Sequence, residues 1–306
     1  MKKINILIIG FGSIGQRHAS ILLKKKYTNK IFVYSESKVL PKKFSRLYSL
    51  NDINNNNIKY IIISNKTFEH YKILNKINNQ FKRKIILVEK PLFNKLKKFS
   101  NKNSNKIFVG YNLRFHPGLR FLKNKIKTIK PWYLNIICGS YLPNWRTNKN
   151  YQTSYSAYKN EGGGVLLDLS HELDYTTWIF GSLKPKYSII KKISPLKIKS
   201  EDFVKIIGKI NKTYTQIELN YFDKMPRRKV RVEGNNFFLE VDLIENSLIL
   251  IKNKKKTKLH FSLNKNYTYS LQHDDILTKK GKNTCNLTEG LKVLKLINTL
   301  KKKRGI

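Results

Sequence analysis

Short apolar, β-branched runs alternate with helical segments in the N-terminal part of the chain. Five runs have this character, at residues 4–9, 31–35, 60–64, 84–89 and 106–111. Such runs are typical of strands that are buried on both faces of a parallel sheet. Helical segments lie between them, for example from about Phe68 to Asn79. Strands that alternate with helices predict βαβ units, and therefore an α/β fold with a doubly wound parallel sheet of the Rossmann type.

The pattern changes after Pro117. Eight β runs separated by turn signals are found at residues 132–141, 186–194, 202–210, 214–222, 228–234, 236–243, 247–252 and 257–263. Helices are predicted at about 118–128, from the glycines at 162–164 to Gly181, and at about 268–280 and 287–302. Strands that follow one another without helices favour an antiparallel sheet. We therefore predict a Rossmann domain at 1–117 and an α+β domain with a large open antiparallel sheet at 118–306.

Basic residues far outnumber acidic ones, with 62 Lys and Arg against 19 Asp and Glu and a formal net charge of +43. Such a balance can indicate a nucleic-acid or anionic-membrane partner. The basic residues are scattered with Asn and Ile and form no arm or stripe, which favours compositional drift. The sequence shows neither a helix-turn-helix pattern nor zinc-ligand spacing, and nucleic-acid binding is therefore disfavoured. Anionic substrates and cofactors would still be attracted to the protein.

Two cysteines, Cys138 and Cys285, form neither a disulfide framework nor a metal-ligand spacing, and no metal site is predicted. The apolar run after Met1 imitates a signal peptide, but it is short and leads directly into a glycine pattern. No stretch approaches the ~18 apolar residues of a membrane span. We therefore expect a cytoplasmic protein.

Residues 10–15 match the pattern G-x-G-x-x-G between a predicted strand and a predicted helix. They are Gly10, Phe11, Gly12, Ser13, Ile14 and Gly15. In this context the first glycine allows a tight turn, the second lets the backbone approach a pyrophosphate, and the third allows close packing of the helix. The N-terminus of the helix offers its N–H groups to the phosphates. The motif therefore predicts a dinucleotide cofactor, NAD or NADP.

The residues at the end of the second predicted strand leave the choice between NAD and NADP open. An acidic residue there binds the ribose 2′-hydroxyl and favours NAD. Ser35 ends the strand, and Glu36, Ser37 and Lys38 follow it. Glu36 suits NAD, whereas the two serines and Lys38 could hold the 2′-phosphate of NADP; alternatively, all four belong to the loop surface. The pattern slightly favours NAD.

Lys90 stands in the segment Val88-Glu89-Lys90-Pro91, at the carboxyl end of the fourth predicted strand. Active sites of open α/β sheets lie beyond the carboxyl ends of the strands. A lysine there can donate a hydrogen bond to a substrate oxygen or relay a proton. In a chain so rich in lysine the alternative is a surface role, but the position and the following proline favour a functional one.

Five segments follow one another in an order that resembles the Gfo/Idh/MocA oxidoreductases, named after glucose–fructose oxidoreductase, inositol dehydrogenase and rhizopine catabolism. They are GFGSIG, SNKTFEH at 64–70, EKP at 89–91, GYNLRFHP at 110–117 and GGGVLLDLSHELD at 162–174. The resemblance covers both predicted domains. It implies NAD(P)-dependent oxidation or reduction of a sugar or polyol, in a homodimer or homotetramer formed through the C-terminal sheet.

The resemblance also implies roles for individual residues. Lys90, Asp168 and His171 would be catalytic, although many members place the histidine four residues after the aspartate, whereas here it follows by three. Neighbours at i+3 and i+4 share a helical face, and Glu172 and Tyr175 would share it too. Further cofactor contacts are implied for Ser64, Asn65, His70, Glu89 and Lys90, and substrate contacts for Arg114, Asp168 and His171, whereas Asp174 is expected to be structural. The glycines at 162–164 would let the backbone approach another group closely.

A narrower resemblance lies at GSYLPNWR (139–146), Tyr151 and YSAY (155–158). These segments resemble a subgroup that modifies sugars for bacterial surface polysaccharides, including sialic-acid-like sugars. Trp145 can stack on a sugar ring, Arg146 can pair with a carboxylate or phosphate, and Tyr151 and Tyr155 can add hydroxyl contacts. Alternatively, these side chains belong to the core of the second domain.

Together these features predict an oxidoreductase that acts on a small, anionic sugar. His171 would move the proton, Asp168 would orient it or contact a hydroxyl, and Lys90 would steady the charge on oxygen. Two alternatives share the fold. Transient oxidation with a retained nucleotide would give a glycosidase or an epimerase, and a sugar-sensing regulator would need no catalysis. Retention of all three residues argues against the regulator.

Overall fold

The computed structural model describes residues 2–37, 39–146 and 150–302. The chain divides into two compact units. The first holds the residues up to Asn112 together with Lys265–Leu291, and the second holds Leu113–Asn264 and the chain from Lys292 onwards. The division predicted at residue 117 lies close to this boundary, but the order of the runs did not predict that Lys265–Leu291 joins the first unit.

The first unit is built on a parallel six-stranded sheet with the order β3-β2-β1-β4-β5-β6. Its elements are β1 (Ile4–Ile9), α1 (Ser13–Leu22), β2 (Thr28–Tyr34), β3 (Ser45–Arg46), β4 (Ile58–Ile63), α2 (His70–Gln80), β5 (Ile85–Val88) and β6 (Lys106–Val109). The apolar runs are buried as predicted, and Ile6, Ile8 and Ile62 have 0% exposure. The strand order reverses between β1 and β4, which is where doubly wound folds bind their ligands.

The second unit is built on an eight-stranded sheet with the order β14-β13-β12-β11-β7-β10-β9-β8. Its elements are α3 (Pro117–Lys125), β7 (Pro131–Gly139), α4 (Val165–Asp168), α5 (His171–Phe180), β8 (Lys184–Lys191), β9 (Phe203–Ile210), β10 (Thr213–Asn220), β11 (Arg227–Gly234), β12 (Phe237–Asp242), β13 (Ser247–Lys252) and β14 (Lys255–His260). Within this sheet, as far as the structure describes it, neighbouring strands are antiparallel except β7 and β10, which pair in parallel. The predicted antiparallel sheet is therefore mixed, because run spacing does not reveal which strands become neighbours.

One face of the second sheet is covered and the other is open. Alternate residues, such as Leu134 and Ile136 of β7, have 0% exposure on the covered face, where α4 packs on β9 and β10. On the open face Tyr187 of β8 lies directly opposite Ile207 of β9. This alternation is the pattern of a sheet that is buried on one side.

A helix from the C-terminal part of the chain, α6 (Tyr267–Thr278), packs against α1 within the first unit; the last helix is α7 (Leu287–Lys302). Lys25 Nζ donates to Asp274 Oδ2 at 2.7 Å, and the Tyr27 hydroxyl donates to Asp274 Oδ1 at 3.1 Å. These polar contacts between distant segments explain why α6 belongs to the first unit although it follows all the strands of the second.

Candidate functional site

The turn between β1 and α1 has the geometry that its three glycines predict. Gly10 adopts a φ of +85°, and a Cβ atom there would lie 2.5 Å from the backbone nitrogen of Asn65. A Cβ on Gly15 would lie 2.1 Å from the Gly10 carbonyl oxygen, so this glycine lets α1 pack on the turn. A Cβ on Gly12, in contrast, would meet no atom within 4 Å. Packing within the protein therefore requires Gly10 and Gly15 but not Gly12.

The open space at Gly12 fits a dinucleotide cofactor. Gly12 is the N-cap residue of α1, no described side chain caps this end, and the first turn contains no acidic residue. The N–H groups and the positive end of the helix dipole can therefore face a pyrophosphate. Ser13 and Ile14, predicted as cofactor contacts, begin this helix. Phe11 is buried and its ring packs edge-on against Phe44 at 5.4 Å, so its side chain belongs to the core and only its backbone can face a cofactor.

Ser64 and Asn65, also predicted as cofactor contacts, lie next to this turn at the end of β4. The Ser64 hydroxyl donates to the Gly10 carbonyl oxygen at 2.9 Å, and the Asn65 amide donates to Glu69 Oε2 at 2.6 Å. The hydroxyl of Ser64 therefore stabilises the glycine turn. Its effect on a cofactor would be indirect, through the conformation of that turn.

His70, the first residue of α2, is buried and faces the backbone of the protein. Its Nδ1 lies 3.1 Å from the Pro91 carbonyl oxygen, and its Nε2 lies 3.2 Å from that of Asn65. Burial lowers the pKa of His70, although the backbone contacts oppose this effect. The imidazole thus ties the segment after β4 to the segment after β5. This geometry favours support of these two segments over the direct cofactor contact that was predicted for His70.

The end of β2 holds the residues predicted to select the cofactor's 2′ group. Arg46 of β3 donates from Nη1 to the Ser35 carbonyl oxygen at 3.1 Å and from Nη2 to that of Ser37 at 2.7 Å. Glu36, between the two serines, is exposed. Arg46 was not predicted, because a strand of two residues has no pattern of its own. Lys38 lies outside the described residues.

Glu89 and Lys90 follow β5 at the carboxyl end of the sheet. Lys90 is partly exposed, whereas Glu89 has only 7% exposure. Glu89 Oε1 lies 3.1 Å from Nε2 of His18 in α1. A Cβ on Gly110, just after β6, would lie 2.4 Å from the same oxygen. The glycine at position 110 therefore makes room for a carboxylate that is held inside the unit.

In the second unit the three glycines before α4 allow backbone segments to cross. Gly162 and Gly164 have φ values of +90° and +104°. A Cβ on Gly163 would lie 2.2 Å from the Tyr155 carbonyl oxygen, and one on Gly164 would lie 2.4 Å from Glu201 Oε1. The close approach expected at these glycines is therefore made by the protein's own Tyr155 and Glu201, and it fixes both residues beside α4.

Asp168, the last residue of α4, is contacted by two tyrosine hydroxyls. Tyr221 donates to Asp168 Oδ2 at 2.6 Å, and Tyr155 also forms a hydrogen bond with the carboxylate. The charge of Asp168, together with burial, raises the pKa of Tyr155 well above its ordinary range. Burial, followed by Asp168, raises the pKa of Tyr221 in the same direction. Both hydroxyls therefore stay protonated near neutral pH and donate to a carboxylate of 3% exposure.

Trp145 and Arg146, predicted as substrate contacts, extend this cluster. The Trp145 ring packs edge-on against Tyr221 at 5.3 Å, and its Nε1 donates to Ser140 Oγ at 2.8 Å. The Arg146 guanidinium lies 5.5 Å from the centre of the Tyr155 ring. Trp145 is 36% exposed, which argues against the alternative that it belongs to the core.

A small pocket opens beside these residues. Its lining includes Trp145, Arg146, Tyr151 and Ser156. The Tyr151 hydroxyl accepts a hydrogen bond from the Lys197 backbone N–H at 3.3 Å. The structure therefore gathers Trp145, Arg146 and Tyr155 around the Asp168–Tyr221 pair, and Tyr151 lines the adjacent small pocket.

His171 begins α5, and the helix predicted to carry it together with Asp168 is interrupted between the two residues. His171 is buried, with 8% exposure. Glu172 instead accepts a hydrogen bond from Arg228 Nε at 2.7 Å, and the Tyr175 hydroxyl lies 3.4 Å from the same oxygen. The single helical face predicted for these residues is therefore corrected, because Glu172 and Tyr175 belong to a separate buried ion-pair cluster.

Arg114 forms a buried ion pair with Asp174. Its Nε and Nη2 donate to the two carboxylate oxygens at 2.9 and 2.6 Å, and both side chains have 2% exposure. A two-point, buried contact of this kind fixes the guanidinium within the protein. This geometry favours a structural pairing over the predicted substrate contact of Arg114, and it agrees with the structural role expected for Asp174.

Two further observations concern residues 2–37, 39–146 and 150–302. No group of His, Cys, Asp and Glu side chains there could hold a metal ion. No helix in these ranges is both long and apolar enough to span a membrane.

Comparison with known proteins agrees with the first unit's geometry. Residues 4–111 match the Gfo/Idh/MocA family, described as an oxidoreductase family with an NAD-binding Rossmann fold. The matched stretch contains the glycine turn, the end of β2 and the Glu89–Lys90 segment. The first unit therefore resembles the NAD-binding domain of this oxidoreductase family.

Other similar proteins extend the likeness along the chain. An uncharacterized oxidoreductase of Synechocystis sp., sll0816, is 23% identical over 206 residues, which cover 62% of this chain and about half, 54%, of that relative. UDP-N-acetylglucosamine 3-dehydrogenase from Acidithiobacillus ferrooxidans has a TM-score of 0.79 at 16% identity, over 99% of this chain and 98% of that one. Levoglucosan dehydrogenase in complex with NADH has a TM-score of 0.85 at 14% identity, over 99% and 97%. These structures confirm the predicted fold over nearly the whole chain.

Proposed function

We propose that the protein is a Gfo/Idh/MocA oxidoreductase and that it transfers hydride between a nicotinamide cofactor and a carbon of an anionic sugar. A nucleotide sugar or a sialic-acid-like sugar of surface-polysaccharide synthesis is the substrate we favour. The observation that carries the proposal is the cluster around Asp168, in which two protonated tyrosines bind the carboxylate and the exposed side chains of Trp145 and Arg146 pack on their rings. An aromatic ring, a guanidinium and hydroxyl-binding groups are what a charged sugar requires. The two solved dehydrogenases are named for sugar substrates, which supports the same class.

The first unit would hold the cofactor. NAD or NADP, when bound, accepts or supplies the hydride. The N–H groups at the start of α1 would bind its pyrophosphate above Gly12, and the end of β2 would bind its adenosine ribose. We favour NAD, because Arg46 already donates to two loop carbonyls while Glu36 is an exposed carboxylate at the position that binds a 2′-hydroxyl.

Three side chains would handle charge and protons. Oxidation or reduction at a sugar carbon requires the attached oxygen to lose or gain a proton, and we assign that proton to His171 because imidazole suits both directions near neutral pH. Asp168 already accepts from two tyrosines, so we assign it the binding of sugar hydroxyls beside them. Lys90 would stabilise negative charge that develops on the oxygen.

We also propose that copies of the chain associate through the open face of the second sheet. Tyr187, Ile207 and Tyr214 are 69%, 44% and 58% exposed on that face. Neighbouring exposed apolar groups of this kind are typical of interfaces. Ile207→Glu should convert the oligomer to a monomer in light scattering, whereas Lys224→Glu, in an exposed loop, should not. A monomeric wild-type protein would exclude the proposal.

The two cysteines support a reducing compartment, and we propose the cytoplasm. Cys138 and Cys285 are both buried, and neither forms a disulfide. The high positive charge would attract an anionic sugar to the protein.

The proposed reaction can be tested with oxidised NAD or NADP and a panel of nucleotide sugars and sialic-acid-like sugars. Reduced nicotinamide and the sugar products are quantified together. A dehydrogenase forms one reduced nicotinamide for each sugar oxidised. A changed sugar without net nicotinamide reduction would instead identify a glycosidase or epimerase that uses transient oxidation. Sugar binding without any product would favour a regulator.

A further inference from the structure

A chain of four buried side chains runs through the first unit to Glu89. The Tyr60 hydroxyl lies 2.9 Å from His273 Nδ1, His273 Nε2 lies 2.9 Å from His18 Nδ1, and His18 Nε2 lies 3.1 Å from Glu89 Oε1. Tyr60, His18 and His273 have 0% exposure. The proposed reaction uses none of these three residues, so their arrangement needs another explanation.

The hydrogen bonds have a single direction when both imidazoles are neutral. An ionised carboxylate only accepts, so His18 donates from Nε2 to Glu89 and accepts at Nδ1. His273 then donates from Nε2 and accepts the Tyr60 proton at Nδ1. Burial, followed by His18 and Lys25, lowers the pKa of His273 well below its ordinary value. Burial raises the pKa of Tyr60, which therefore keeps the proton that this direction requires.

We propose that Tyr60, His273 and His18 are positioning residues that hold the Glu89 carboxylate, and through it the main chain that presents Lys90. The carboxylate lies between His18 and the space left by Gly110, and the direction cannot reverse without leaving a buried polar group unpaired. His273 belongs to α6, and the hydrogen-bonded series from Tyr60 to Glu89 is therefore complete only because Lys265–Leu291 is part of the first unit. The link to Lys90 rests on the proposed function, whereas the direction of the hydrogen bonds does not.

Histidine-selective 15N NMR of the intact protein tests the direction. His18→Gln and His273→Gln variants assign the two resonances. We expect the Nε2–H form at both residues at about pH 8. An Nδ1–H form at either residue would overturn the inferred direction.

Variants of His273 test the positioning role. His273→Leu removes both hydrogen bonds, while His273→Gln keeps a donor and an acceptor. Asn105→Leu is a matched control, because Asn105 is a buried polar residue that donates hydrogen bonds to Asn78 and Phe81. It lies at the amino end of β6, whereas Glu89 lies at the carboxyl end of the neighbouring strand β5. The readouts are the NADH dissociation constant, from nicotinamide fluorescence, and the thermal midpoint.

His273→Leu and Asn105→Leu should both lower the thermal midpoint. Only His273→Leu should also raise the NADH dissociation constant, by about tenfold, and His273→Gln should restore most of the affinity. An equal change of the dissociation constant in both leucine variants would show that the cluster only supports the fold. If wild-type protein bound neither NADH nor NADPH, the proposed function would fail, and the NMR result would still decide the direction of the chain.

Discussion

The Tyr221 hydroxyl donates a 2.6 Å hydrogen bond to Asp168 Oδ2, and this contact lies at the centre of the candidate substrate cluster. Trp145 packs on the Tyr221 ring, and Tyr155 shares the same carboxylate. Buried polar groups that depend on one another in this way are costly to leave partly satisfied. Because the exposed side chains of Trp145 and Arg146 adjoin these groups, the cluster favours a binding role over a purely structural one.

Tyr221→Phe should raise the KM for the sugar or lower kcat by about tenfold or more, because it removes one hydrogen bond to a charged group. NADH binding should stay within about twofold of wild type. Steady-state kinetics and a fluorescence titration measure the two effects. Tyr175→Phe is the matched control, since its buried hydroxyl contacts the paired Glu172 carboxylate. Equal effects of both variants on turnover would show that the loss is structural.

His171→Asn should lower kcat by at least about 100-fold at saturating sugar while NADH binding is retained, because it removes the group assigned to proton transfer. Lys90→Met should lower kcat through the loss of the positive charge near the reacting oxygen. Single-turnover measurement of nicotinamide oxidation follows both variants. Full turnover of His171→Asn would assign the proton to another group.

Glu36→Ala should weaken NADH binding by about tenfold and leave NADPH binding unchanged or improved, since the carboxylate accepts from a 2′-hydroxyl and repels a 2′-phosphate. Arg46→Ala should weaken both nucleotides alike, because Arg46 holds the loop carbonyls of Ser35 and Ser37. Parallel titrations compare the two cofactors. A selective loss of NADPH binding in Arg46→Ala, with a wild-type preference for NADPH, would reverse the assignment to NAD.

Stability should fall as the pH falls below about 6.5. Burial is the main cause that lowers the pKa values of His70, His116 and His273 in the folded protein. As the pH falls, the histidines of the unfolded chain take up protons before those of the folded protein do. The free energy of unfolding therefore decreases between the unfolded-state pKa and the lower folded-state pKa, by up to about 1.4 kcal/mol per pH unit for each histidine. Urea unfolding at about pH 7.5 and about pH 5.5 measures the loss. His273→Gln should reduce it, and stability that rises toward acid would contradict the prediction.

Contiguous patterns were sufficient to predict most elements. The apolar runs at 4–9 and 60–64 correspond to β1 and β4, because strands buried on both faces need uninterrupted apolar residues. The glycine motif was equally recognisable, because the turn requires Gly10 and Gly15 and a pyrophosphate requires the open space at Gly12. Ser45–Arg46 is too short for such a pattern, which is why Arg46 was missed.

The roles of residues that depend on partners distant in the sequence could not be predicted from the sequence alone. Arg114 stands in a family motif, but its partner Asp174 is brought to it by the packing of α3 against α5. Tyr221 is one of 17 tyrosines and carries no local mark. It meets the Trp145 segment because β7 and β10 pair in parallel and end together at Gly139 and Asn220. Tyr221 could have been identified only from the pairing of β7 with β10, and the order of the β runs along the sequence does not reveal that pairing.

The central claim, that the first unit binds a nicotinamide dinucleotide at its glycine turn, is tested most directly by titrating NADH and NADPH against wild-type protein and Gly12→Val. Because a Cβ at position 12 meets no atom within 4 Å, this variant should keep the wild-type thermal midpoint. It should nevertheless lose at least about 100-fold in affinity, since its side chain takes the space of the pyrophosphate. Gly15→Ala should instead lower the midpoint, because its Cβ would lie 2.1 Å from the Gly10 carbonyl oxygen. Unchanged binding by a folded Gly12→Val protein, or no binding of either nucleotide by folded wild-type protein, would contradict the claim.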